Sequence, residues 1–88
     1  MEKRTLNRAS KRIDVHLDAV LVNSVGTEVD VVVLDLSADG FRIETNAVLR
    51  VGEEVILRTK RDGNVPARIV WTLGLEAGGT FNAKPVVA

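Results

Sequence analysis

Two short stretches carry residue types suited to gripping a nucleotide: Arg8-Ala9-Ser10-Lys11-Arg12 and Asp35-Leu36-Ser37-Ala38-Asp39-Gly40. Arginine presents a planar fork of five donors that fits phosphate oxygens or a guanine edge bidentately, and it stays charged in any surroundings. A pair of such forks at Arg8 and Arg12 suits a ligand with two phosphates. The Asp35 carboxylate can accept hydrogen bonds from a guanine N1–H and exocyclic amine, and Ser37 adds a small hydroxyl. Gly40 is expected to supply a positive φ and room for a ligand to approach the backbone. Taken singly, each stretch has an ordinary reading, a solvated basic terminus or an Asx or Ser turn closing a hairpin. Their occurrence together favours a binding site.

Other chemistry finds little to work with. The chain has no cysteine and a single histidine. Disulfides, thiolate metal sites and cysteine nucleophiles are therefore excluded, and His16, at a polar position of an alternating segment, reads as a surface residue. No nucleophile and base pair, metal-ligand cluster or phosphate-cradling loop can be assembled, so no catalytic residue, metal or cofactor is expected. Trp71 alternates with Ile69 and is expected in the core, with a stacking platform for a base as the alternative.

The elements that must position these residues follow from a two-residue period. Ile13, Val15, Leu17, Ala19 and Leu21 alternate with Asp14, His16 and Asp18, the pattern of a strand with one buried face. A second strand is expected from Val29 to Leu34, a tight loop over Asp35–Gly40, and a third strand over Phe41–Thr45. Val55 and Leu57 mark a fourth, ended by the Asp62-Gly63 hairpin signal. A fifth runs from Val65 to Leu73 with Ala67, Ile69 and Trp71 on one face. Gly78-Gly79 precedes a short sixth strand at Thr80-Phe81. Only Ala47–Arg50 could carry a helical turn. So many short strands in 88 residues cannot leave both sheet faces wet, which predicts an all-β, six-stranded antiparallel barrel, closed or partly split.

Charge divides the chain. Residues 1–12 hold five basic residues against Glu2, a balance of +4, and the remainder carries −4, for a net charge of zero. The expected organisation is a flexible basic arm over 1–12, a barrel over 13–83 and a short tail over 84–88. Such an arm attracts phosphate, anionic lipid or an acidic partner. No apolar run approaches the ~18 residues that span a bilayer and no secretory signal opens the chain, so a cytoplasmic protein without membrane insertion is expected.

The order RxxxR, two strands, then DxSxxG resembles the PilZ domain family. The strand pattern, Trp71 and the Gly79-Thr80-Phe81 ending extend the likeness over nearly the whole chain. The resemblance implies a barrel that binds the bacterial second messenger cyclic di-GMP, with Arg8 and Arg12 on its phosphates and guanine faces and with Asp35, Ser37 and Gly40 reading a guanine. Asn7, the residue before the first arginine, occupies the position that affects whether one ligand or an intercalated pair is held. Lys11 and Asp39 fall at variable positions of the motifs. A protein partner downstream is implied as well.

Two other readings use the same residues. A small barrel that binds nucleic acid through the basic arm is disfavoured by the three aromatic residues, all expected in the core, and by the acidic body. A barrel of the same fold acting only through protein contacts is disfavoured by the intact motifs.

Overall fold

The computed structural model describes residues 13–82. Six strands follow one another: β1 (Ile13–Val22), β2 (Glu28–Leu36), β3 (Gly40–Glu44), β4 (Glu54–Thr59), β5 (Gly63–Leu73) and β6 (Glu76–Phe81). They close into a barrel in the order β1-β2-β3-β6-β5-β4, every pairing antiparallel. The barrel closes where Val20–Val22 of β1 pair with Ile56–Arg58 of β4. This is the all-β barrel that the alternating apolar pattern predicts, and its closure is complete.

The interior is filled by Leu21, Val33, Ile43, Leu57 and Ile69, all essentially inaccessible, with Val31, Phe41, Leu49, Val55 and three alanines around them. Each large side chain removed from water contributes about 1.5–3 kcal/mol. Phe41 also meets Phe81, ring centroids 5.4 Å apart. Turn chemistry fixes the hairpins. Asn23 Oδ1 accepts the N–H groups of Val25 and Thr27, and Gly26 and Gly63 adopt φ of 89° and 71° in the β1–β2 and β4–β5 turns.

Four expectations are corrected. Strand β2 continues through Asp35 to Leu36, so Asp35 lies in a strand and the connection to β3 is shorter than Asp35–Gly40. The sixth strand begins at Glu76 rather than at Thr80, so Gly78 and Gly79 sit inside β6, where the rings of Trp71 and Phe41 leave no room for side chains. Residues 47–50 form no helical turn, and Leu49 instead drops into the core. Leu17, expected on the buried face, is 42% exposed. Strand β4 pairs only with Val20–Val22, so Leu17 lies beyond the end of that ladder.

Candidate functional site

Inward and outward positions should alternate without a break along each strand, but bulges interrupt them, one in β1 between Asp14 and Leu17 and two, in β2 and β5, that shape the site. In β2, Val33 faces Ile43 and the next paired residue, Asp35, faces Arg42. The extra residue turns Asp35 out of the barrel, although Val31 and Val33, at the same spacing, point in. In β5, Ile69 faces Gly79 and Trp71 faces Gly78, so Trp71 also leaves the interior. The expectation that Trp71 packs in the core beside Ala67 and Ile69 is thereby corrected. The bulge after Ile69 shifts its phase.

The two bulges act on one row. Asp35 pairs with Arg42, Arg42 with Gly78, and Gly78 with Trp71, crossing β2, β3, β6 and β5 on the outer wall. Arg42 Nε donates to Asp35 Oδ2 at 2.5 Å, and Nη1 donates to Glu76 Oε1 at 2.9 Å. Those hydrogen bonds, Asp35's foremost and then Glu76's, raise the pKa of the Arg42 guanidinium above its usual value. Asp35 is only 6% exposed, a carboxylate set into the wall with its orientation fixed. At the other end of the row the indole of Trp71 lies over Gly78. The wall thus presents a carboxylate, a guanidinium and an aromatic ring in line, an arrangement able to hydrogen-bond and stack a planar base.

The turn after Asp35 is held by Ser37. Its Oγ accepts the N–H groups of Asp39 and Gly40, each at 3.2 Å, and its own N–H donates to the Gly40 carbonyl at 2.9 Å. Gly40 is required for a reason other than the expected positive φ, which it does not adopt. A Cβ there would stand 2.2 Å from the Gly79 carbonyl oxygen, so only glycine lets β3 and β6 pair at this point. The Asp39 carbonyl accepts the Phe81 N–H at 2.8 Å, tying the turn to the end of β6.

The structure therefore brings Asp35, Ser37 and Gly40 to one end of the outer wall and sets Trp71 further along it. Arg8, Arg12, Asn7 and Lys11 lie outside the described residues. The backbone of Ile13 pairs with Leu36, so Arg12 is joined covalently to a residue beside the turn. Sequence reasoning missed Arg42, Glu76 and Gly78. Arg42 was legible as a polar position of β3, but nothing local announces a partner so far along the chain. His16 is exposed, and no group of three or more metal-ligating side chains occurs among the described residues. Among those residues no helix is long and apolar enough to cross a membrane.

Comparison with known proteins places this geometry in context. The family model described as "PilZ domain" matches residues 6–84. Among solved structures, the PilZ domain of CeSA from a cellulose synthesizing bacterium aligns with a TM-score of 0.72 and 26% sequence identity, covering 84% of this chain and 82% of that one. No curated protein matches the chain.

Proposed function

Because the chain belongs to the PilZ domain family, we propose that it is a non-catalytic sensor that binds cyclic di-GMP on the outer wall of the barrel. The observation that carries this reading is the row from Asp35 through Arg42 and Gly78 to Trp71, beside the point where the RxxxR segment joins β1. Asp35 accepts from the Watson–Crick edge of a guanine, its carboxylate already oriented by Arg42. Trp71 offers a face for stacking. Ser37 and Gly40 act by fixing the turn that carries the chain from Asp35 into β3.

Arg8 and Arg12 close the site from the arm side and neutralise the two phosphates. Ordering that segment costs conformational entropy, which the charge-assisted hydrogen bonds must exceed. The nucleotide and the closed arm together form a surface that a downstream protein partner reads, so occupancy is the signal.

Calorimetric titration with cyclic di-GMP, with GTP and cyclic di-AMP as controls, tests the reading. Selective binding of cyclic di-GMP is expected, and Arg12→Ala should weaken it by about ten- to a hundredfold. Equal affinity in the variant would remove Arg12 from the site; no binding by the parent chain would remove the function.

A further inference from the structure

A second feature of the outer wall has no part in the nucleotide site. Asp18, Val32 and Glu44 pair in succession across β1, β2 and β3, and Asp30 stands two positions from Val32 on the same face. They border a groove of about 620 Å3 to which Ala19 and Leu75 add apolar surface. Asp18, Asp30 and Glu44 are all exposed. None accepts a hydrogen bond or ion pair from a described residue, while the nearby guanidinium groups are engaged elsewhere, Arg42 with Asp35 and Glu76 and Arg58 with Glu28 and Asn64. Like charges held together without a counter-charge repel one another, and a cationic segment would relieve that repulsion.

We infer that this groove is the docking site of the chain's own residues 1–12 when no nucleotide is bound. The charge is complementary, since those residues carry +4 and the groove three carboxylates. The length also fits. Ile13 is already paired within β1, so a reversal uses the residues just before it. With a two-residue turn at Lys11-Arg12, a chain running back along β1 brings Thr5 level with Asp18, Arg4 and Leu6 beside it, and Arg8 about 10 Å short of it. The docking does not depend on the nucleotide reading. Its consequence does: a segment laid along β1 cannot also hold Arg8 on the phosphates, so the groove competes with the nucleotide for the arm and sets the concentration at which the sensor responds.

The chain has no native cysteine, so Thr5→Cys accepts a single nitroxide without changing the arm's charge. In the nucleotide-free full chain the label should broaden the amide signals of Asp18, Asp30 and Glu44. The broadening should disappear in the triple variant Asp18→Asn, Asp30→Asn, Glu44→Gln and at roughly 0.5 M salt, where screening is nearly complete over such distances. Absence of broadening in the parent, or its persistence in the triple variant, overturns the docking. Mixing spin-labelled with isotope-labelled chains shows whether it arises only between molecules, which also overturns it. The triple variant should bind cyclic di-GMP roughly three- to tenfold more tightly, and an unchanged affinity overturns the competition. Failure of the parent chain to bind the nucleotide would sink the nucleotide reading while the relaxation result stands by itself.

Discussion

The indole of Trp71 occupies the space that a side chain at Gly78 would need. A Cβ built on Gly78 lies 2.1 Å from Nε1 and 2.5 Å from Cε2 of that ring. The glycine is there because of the bulge opposite. Once β5 gains a residue after Ile69, Trp71 turns outward and must lie flat on the neighbouring strand or stand in solvent.

Gly78→Ala should therefore push the indole off the wall. The cost should fall at the lower end of the roughly 1–3 kcal/mol of overpacked sites, because a surface ring can swing aside where a core residue cannot. Trp71 is the only tryptophan, so its emission reports the change directly. A shift to longer wavelength is expected, together with weaker cyclic di-GMP binding if the ring stacks on a base. Emission identical to that of the parent chain would show that the ring does not rest on Gly78.

The Asp35–Arg42 pair should matter more than other ion pairs of the barrel. Arg68 and Glu54 also meet at 2.7 Å, but both side chains are more than half exposed and water screens them. Asp35 is set into the wall, and without Arg42 its carboxylate loses a close charged partner at a site where water screens little. Thermal unfolding should place Arg42→Met well below Arg68→Met, and the double variant Asp35→Asn, Arg42→Met should recover part of the loss. If the two single variants melt together, the pair has no special role.

The barrel was legible because alternation is a strong signal wherever one face is buried, as from Ala19 to Leu21 and from Phe41 to Ile43. What alternation cannot reveal is where it slips. A bulge is one extra residue without a distinctive composition, and the two that shape the site, in β2 and β5, sit in apolar runs, Val33-Leu34 and Ile69-Val70, where either phase looks equally buried. That is why Trp71 reads as core, whereas Asp35 reads as a loop residue because Asp35–Gly40 has the composition of a turn. The Gly78-Gly79 pair misleads for a related reason. Glycines usually mark turns, yet these two are needed because the Trp71 ring covers one face of β6 and Phe41 the other. The signature residues themselves were visible, but their local duties, Ser37 capping a turn and Gly40 admitting the Gly79 carbonyl, depend on strands distant in the chain.

Acid should weaken the barrel through Glu53, which joins two connections at one end. Its Oε2 accepts from the N–H and the hydroxyl of Ser24, at 3.1 and 2.8 Å, and its Oε1 accepts from the Arg50 N–H at 3.0 Å. Partial burial pushes its pKa up, but the hydrogen bonds from Ser24 and Arg50, helped by the Arg50 charge, outweigh that and hold it below the ordinary 4.5. The folded chain then binds this proton less readily than the unfolded one. The stabilisation is complete above the ordinary glutamate range and is lost as pH falls through the depressed folded value. Glu53→Gln cannot satisfy all three donors and has no charge to lose. Urea unfolding at about pH 7 and again near pH 3 should show the parent ahead of the variant at the higher pH and the gap narrowed at the lower one. A gap that stays constant or widens on acidification would mean that the carboxylate is not what joins these loops.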